Sequence, residues 1–582
     1  MTPGEVARYG RTAAQLRPVQ IGQRVRLRTQ RAALRRFPAA ARWLLAGPDP
    51  AAAVGWPVWF RPADERLWHD WAGLPELRNG RIELLGMTRP LARPPDWAAT
   101  DWAQAGAPAL WRFHLHYWDW SWRLTAEPLR AENRAWFAAL WRSWQAAIPA
   151  GHGDAWHPYP AALRAWSYCG IFRDLVAGSG IEDQFIACLS AHAGFLRRHL
   201  ETDVGGNHLI KNLKALTGLA VFFADAGLLD QTMGRLRRQL AVQVLPDGGH
   251  FERAPAYHCQ VLADLIDVDR LARAAGRAPE PELGQAIQRM RRWLDSVLSP
   301  DGQVPLLNDG YPVGTGLTGL LEPGGAPDDP LLVFPDTGLV RAAAGGWHLL
   351  ADVGAPCPDE LPAHAHADTL SCLVHLDGLP LLIDTGTSTY APGPVRDYER
   401  STAAHNTIEV DGADSTEVWG AFRAGRRARV SRVIARADGD LLVVAAHDGY
   451  RSLPGRPVHQ RHWSLSAAGL RIDDLVRGEG EHAVTLRWHL APGSALQVTA
   501  GEATMATPAG DVRVAISASG PITLTDDSAP VATGFGRTVD ARVLTCRMRA
   551  PLPIRISTHW RRGGDAKPLS VRRTAIISGG IT

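Results

Sequence analysis

Residues 361–407 read LPAHAHADTLSCLVHLDGLPLLIDTGTSTYAPGPVRDYERSTAAHNT. Within this stretch SCLVHL and LPLLID are short apolar runs separated by Asp377-Gly378, the pattern of two antiparallel strands joined by a two-residue turn. That hairpin places His366 just before its first strand and Asp384 at the end of its second, while His405 opens a further apolar strand, HNTIEV. Imidazole, carboxylate and imidazole on neighbouring strands form a candidate Zn²⁺ cage of His366, Asp384 and His405. The alternative is three hydrogen-bonded polar residues beside a hairpin. Asp368 reads as a turn or supporting carboxylate rather than a ligand. His364, two residues from His366 on an alternating chain, is left for another task.

Downstream the same texture continues. WHLLADV, DLLVVAAH, GLRIDDL, AVTLRWHL and DVRVAIS are short runs broken by Asp438-Gly439, Ala468-Gly469 and Pro492-Gly493. Period-two alternation with frequent turns indicates an antiparallel β-sandwich. Upstream, beyond the Gly/Pro-rich boundary LLEPGGAPDDP at 320–330, the pattern is helical. In PELGQAIQRMRRWLDSVL the apolar residues Leu283, Ile287, Met290, Leu294 and Val297 follow three- and four-residue spacing, with Pro281 suited to the first turn. Turn-rich segments start at Thr202 (TDVGGNH), Leu245 (LPDGGH) and Ser299 (SPDGQVPLLNDG), each about a helix pair apart, which points to repeated helical hairpins. Stacked around an axis, such hairpins put all three turns on one rim, with Asn207, His208, Gly248, Gly249, His250, Tyr257, Asn308 and Asp309. The expected organisation is α+β and multidomain: a basic, Trp-rich helical segment over 1–100, repeated helical hairpins over 101–325 and the sandwich over 326–582.

Composition sets limits. A chain of 582 residues exceeds one ordinary core. A formal charge of +4 gives no general affinity for nucleic acid, although a local basic patch can hold an anionic substrate. The six cysteines are scattered in apolar contexts, without CxxC spacing, and read as core residues. No apolar run reaches the roughly 18–20 residues of a membrane span. The Arg-rich start shows no apolar h-region, so the expectation is no secretory signal and a cytoplasmic location, with the periplasm as alternative. It reads as a solvated surface helix, a docking arm or a weak membrane contact. Residues 1–170 hold 16 of the 22 tryptophans. Those around WRFHLHYWDWSWRL either pack a helical core or, as Trp118 or Trp120, stack against sugar rings.

Three clusters could carry chemistry: GGNHLIKN (Asn207, His208), LPDGGHFERAPAYH (Arg253, Tyr257, His258) and the HAHAD…D…AHNT set. Together they supply an amide, a phenol and imidazoles, a set suited to proton abstraction beside a carboxylate. Asp119, Asp154, Asp247 and Glu252 are the acids from which a glycoside hydrolase would need a flanking pair. A non-catalytic polysaccharide-binding or assembly protein is the third reading, and one that does not need the amide, phenol and imidazole together.

The combination of GGNHLIKN, LPDGGHFERAPAYH and HAHADTLS…LPLLIDTGTSTY…RDYERSTAAHNT resembles the heparinase II/III-like polysaccharide lyases, which include related alginate lyases. The resemblance implies an incomplete (α/α) toroid followed by an antiparallel β-sandwich. It also implies β-elimination at a uronic acid of an acidic polysaccharide, leaving a 4,5-unsaturated ring. On that analogy Asn207 hydrogen-bonds the substrate carboxylate and His208 helps neutralise it. Tyr257 and His364 are the proton-transfer groups, with the roles of base and acid open. A phenol of pKa about 10 needs nearby positive charge to act as a base, and Arg253 and His258 are the candidates. Arg396 and Arg400 would bind uronate carboxylates or brace their loop, Tyr390 and Trp118 would wall the cleft, and His366, Asp384 and His405 would hold a structural zinc. Many members of the family are exported, and a chain without an export signal points instead to the cell's own acidic exopolysaccharide.

Overall fold

The computed structural model describes residues 3–69, 73–91, 97, 108–126, 130–325, 327–499, 501–507 and 510–563. The end of the expected sandwich domain, 564–582, lies outside the described residues. The toroid is built from the helices Arg130–Ala147, Pro158–Ile171, Glu182–Arg198, Gly206–Phe222, Ala226–Gln243, Pro255–Ala274 and Pro281–Val297. Pro158–Ile171, Gly206–Phe222 and Pro255–Ala274 pack on one another and are buried around most of their circumference, so they form the inner layer. Pro281–Val297 buries the stripe read from its sequence, Leu283 to Val297, and is an outer helix. Short connections make successive helices antiparallel. Every inner helix therefore starts on the same rim.

The last short helix, Thr315–Leu320, is followed by the first strand of the sandwich, Leu331–Phe334. From there the strands form antiparallel sheets of five, four and eight strands around a core that includes Trp347, Trp463, Trp488 and Trp560. Strand Val458–Ser466 alternates buried and half-buried residues along its whole length, as a half-covered sheet requires. Cys372–Leu376 and Leu379–Leu382 pair across Asp377 (φ 51°) and Gly378 (φ 82°), the positive-φ turn expected there. The strand expected at His405 begins later, at Ile408. The Asn406 amide donates to Cys372 O (2.9 Å) and Ile383 O (2.7 Å), and its Oδ1 accepts from His489 N (2.7 Å). Residues 405–407 thus cross between strands instead of pairing along one. All six cysteines are buried free thiols. Among the described residues no helix is long and apolar enough to cross a membrane.

The basic start is a docked arm. Helix Pro18–Arg36 buries Leu27 and Leu34, and its Gln20 Nε2 donates to Asp203 O (3.2 Å) in the toroid and Glu360 O (3.3 Å) in the sandwich. Arg24 pairs with Asp203 (3.3 Å) and Arg17 with Glu360 (2.5 Å). Helix Pro3–Ala13 adds Arg11 Nε to Glu417 Oε2 (2.8 Å) and Tyr9 edge-on to Trp419. One arm therefore binds both domains.

Trp118 belongs to the core and not to a cleft wall. It is fully buried, stacked on Trp97 (5.4 Å) and Trp120 (4.8 Å), with Phe137, Trp144 and Tyr168 at its edges. Trp118→Ala is expected to lower the unfolding free energy by about 3–5 kcal/mol in a denaturant titration while leaving KM for a glycan unchanged. A raised KM at parental stability would return Trp118 to the cleft.

Candidate active site

The rim joins Asn207, His208 and Tyr257 of the toroid to His364 of the sandwich; Asn207, His208 and His364 are each held by a carboxylate, and Tyr257 by the Tyr390 hydroxyl. Asn207 lies in the first turn of Gly206–Phe222, where Gly206 (φ 55°) lets Glu252 approach: a Cβ there would stand 1.8 Å from Glu252 Oε1. Glu252 accepts from Asn207 N (2.9 Å) and from its Nδ2 (2.9 Å to Oε2). An ionised carboxylate only accepts, so it fixes the amide with Nδ2 inward. Asn207 Oδ1 is left buried without a partner. The free end is an acceptor. Burial works against charge on Glu252, but His364, His250 and the Asn207 donors outweigh it and keep its pKa below the ordinary value.

His208 stands on the same turn with its side chain 35% exposed, its Nδ1 3.0 Å from Glu201 Oε1 and its ring 4.3 Å from that of Tyr159. Glu201 is clamped in turn by Asn212 Nδ2 (3.0 Å). Burial opposes the imidazolium, yet Glu201, with Glu252 and Asp203 farther off, raises the His208 pKa above its usual value. The charged form of His208 is thus favoured relative to a free imidazole.

Across the cleft His364 Nδ1 bonds Asp309 Oδ2 (2.9 Å), its Nε2 lies 3.5 Å from Glu252 Oε2, and its ring packs 3.9 Å from Tyr257. Asp309 as acceptor selects the tautomer protonated at Nδ1 and leaves Nε2 for the cleft. Tyr257 Oη is 2.7 Å from Tyr390 Oη. Burial first, then Tyr390, Tyr311 and Asp309, push the Tyr257 pKa well above 10.

Below them, His366 Nε2 bonds Asp309 Oδ1 (2.9 Å) and His405 Nδ1 bonds Asp384 Oδ2 (2.8 Å), the two rings lying 5.3 Å apart. His366 Nδ1, His405 Nε2 and both oxygens of Asp368 are buried without partners. In this arrangement the three expected ligands are hydrogen-bonded, and among the described residues no three His, Cys, Asp or Glu side chains are set to hold a metal ion.

Residues 97–318 match the model of the heparinase II/III N-terminus, and residues 326–566 match that of the heparinase II/III-like C-terminal region. The chain belongs to the heparinase II/III-like family. It is a polysaccharide lyase. Among solved structures it is similar to heparinase III, with 15% identity over 87% of this chain and 86% of that one and a TM-score of 0.73. It is similar to a heparan sulfate lyase from Pedobacter heparinus, with 16% identity over 94% of this chain and 89% of that one and a TM-score of 0.58. A chondroitin AC lyase from Streptomyces coelicolor A3 gives 13% identity over 91% and 82%, with a TM-score of 0.56. At such identities these likenesses establish the fold. No curated protein matches the chain.

Of the substrate contacts expected for this heparinase II/III-like lyase, Tyr390 alone hydrogen-bonds Tyr257. Arg396 is buried and commits Nη1 to Asp309 Oδ1 (2.5 Å) and Nη2 to Asp309 Oδ2 (2.9 Å) and Ala421 O. Arg400 is buried and donates to Ala365 O, Gly420 O and Arg423 O, bracing the HAHAD loop. Arg253 reaches Ala355 O (2.6 Å) and joins the domains. His258 is a core residue on Trp293, with Nε2 at Met290 O (3.0 Å), and burial brings its pKa down to about 3. Neither Arg253 nor His258 lowers the Tyr257 pKa as expected. His250 and the Gly248–Gly249 turn are likewise structural, packed against Gln243 and Trp293. The four acids of the hydrolase reading serve separate ends: Asp154 pairs with Arg112, Asp247 caps Thr337, Glu252 holds Asn207, and burial pushes Asp119 up to about 8. Glu201 and Tyr159 escaped the sequence reading; an acid and an aromatic near the GGNH turn and the preceding inner-helix start were the available signal.

Asp309 accepts from His364, His366 and Arg396 at once. Burial alone would raise its pKa, but Arg396 and the two histidines hold it well below 3.8. Its contribution to stability is therefore present above the ordinary carboxylate value and lost as pH falls below it. Asp309→Ala should cost about 3–5 kcal/mol, because Arg396 is left buried and unpaired. A melting temperature equal to the parent's would show that the carboxylate is dispensable.

Proposed function

We propose that this lyase cleaves a uronic-acid-containing acidic polysaccharide by β-elimination, with His364 taking the C5 proton and Tyr257 delivering a proton to the leaving O4. The observation that carries the reading is the direct packing of the His364 ring on the Tyr257 ring, 3.9 Å apart where the sandwich meets the toroid rim, beside the Asn207–His208 turn. The C5 proton is weakly acidic because the adjacent carboxylate already holds negative charge, so that charge must be offset before an enolate can form. His208, whose charged form Glu201 favours, supplies positive charge where the substrate carboxylate would sit. Asn207 Oδ1 accepts from a sugar hydroxyl or from the carboxyl in its protonated form. His364 takes the base role through Nε2 in its neutral form, since Asp309 holds Nδ1, while Glu252 Oε2 lies 3.5 Å from Nε2. A phenol whose pKa stands well above 10 keeps its proton at neutral pH, which suits the acid role.

A leaving group that needs no proton separates the two roles. Tyr257→Phe should lose about 10²–10⁴-fold in kcat on the natural polymer and recover on a uronide carrying fluoride at C4. His364→Ala should fail on both, followed by the ultraviolet absorbance of the unsaturated product. Recovery of His364→Ala instead of Tyr257→Phe would reverse the assignment.

We also propose that His366, Asp384 and His405 hold a zinc ion. What supports this is the pair of buried, unpartnered imidazole nitrogens, His366 Nδ1 and His405 Nε2, amid the carboxylates of Asp384 and Asp368. Zinc bound there would cross-link the hairpin to the segment before Ile408. Elemental analysis of protein produced with zinc present should give about one zinc per chain, and chelation should lower the melting temperature. A zinc content near zero removes the site.

A further inference from the structure

Away from the cleft, the arm helix Pro18–Arg36, the end of Glu182–Arg198 and the outer helix Ala226–Gln243 enclose a groove of about 530 Å³. Arg26, Arg197, Arg198, Arg235 and Arg238 line it, and none of its described lining residues is acidic. Its floor is apolar, from Leu209 and Leu213 of the inner helix that also carries Asn207 and His208.

The positive charge in the groove is uncompensated. Arg26 donates to Gln23 Oε1 (2.7 Å) and Arg198 to Ala46 O and Gly194 O (3.0 Å each), with Arg198 also lying over the Trp43 ring. These neutral acceptors orient the guanidinium groups without cancelling charge. Burial, followed by the charges of Arg238 and Arg197, lowers the Arg235 pKa, which shows how closely like charges are gathered. Arg24, one turn away, has its carboxylate in Asp203. Five cations collected in a recess repel one another in the free protein and focus a field that attracts an anion with several charges.

We propose that this groove is a second binding site for an acidic glycan, taking carboxylate or sulfate groups of the chain outside the sugars being cleaved. This rests on the uronate-polymer reading above. Planar guanidinium groups bind such oxyanions bidentately, and an array of five suits charges repeated along a chain. A recess suits a strand better than a membrane, which meets protruding cations more readily than cations around a hollow. The groove also backs onto the catalytic loop: Leu200 and Thr202 line it, while Glu201 between them holds His208. A glycan bound there would be tethered beside the catalytic turn.

The test measures binding to Tyr257→Phe protein, so that turnover plays no part. The probes are alginate, chondroitin sulfate and heparan sulfate, each as polymer and as disaccharide, at several salt concentrations. Adding Arg197→Gln and Arg235→Gln should weaken binding of the best polymer about tenfold, the order expected for two lost charge-assisted contacts. It should also flatten the salt dependence and leave the disaccharide unaffected. Arg26→Gln with Arg238→Gln, at more exposed positions, gives a second variant if the first folds poorly. Unchanged polymer affinity and salt dependence in a folded variant would overturn the site. So would binding of phosphatidylglycerol vesicles, but of no glycan, through these arginines. Polymer held through the groove with no product from the unmodified enzyme would keep the site and remove the lyase assignment. Product formation with unchanged KM for the polymer in an otherwise unmodified Arg197→Gln, Arg235→Gln enzyme would do the reverse.

Discussion

The structure depends on a single buried carboxylate. Asp309, on the last rim loop of the toroid, is met by the guanidinium of Arg396 and by the imidazoles of His364 and His366, all from the sandwich. An ion removed from water is tolerated only when its lone pairs are taken up, and here all the acceptor capacity is used across the domain boundary. The contact joins the two domains and aims His364 at Tyr257. The placing of His364 against Tyr257 thus follows from an electrostatic requirement of folding.

The same device recurs on the toroid side. Glu252 locks the Asn207 amide and Glu201 locks His208, so both groups of that turn are backed by an acid. Orientation fixed in advance is what an enzyme needs when it must stabilise charge without waiting for its own dipoles to turn. Gly206 belongs to this logic, since only a hydrogen at that position allows Glu252 to close on the helix start.

Much of this was legible in the chain. Alternating runs and the Asp377-Gly378 turn predicted the sandwich hairpin, and turns a helix pair apart put Asn207, His208, Tyr257 and Asp309 on one rim. The failures share a cause. For Arg396 and Arg400 the sequence left uronate binding and loop bracing open, because an arginine shows its charge in the sequence but not its partner, and the partners lie in loops distant along the chain. His258 and Trp118 read as cleft residues because which face of a helix or turn is buried depends on neighbours. In both cases packing against Trp293 or Trp120 decided the matter. The orientation of the Asn207 amide was equally hidden, since it is set by Glu252 on another turn.

The arm ties the beginning of the chain to both domains. Pro3–Ala13 and Pro18–Arg36 dock on Asp203, Glu360 and Glu417, residues 179 to 406 positions farther along the chain than the arm residues that meet them. Helices of this length are marginal alone in water. The arm's contacts therefore need both domains in place, so a docked arm reports that the toroid and the sandwich have met in register.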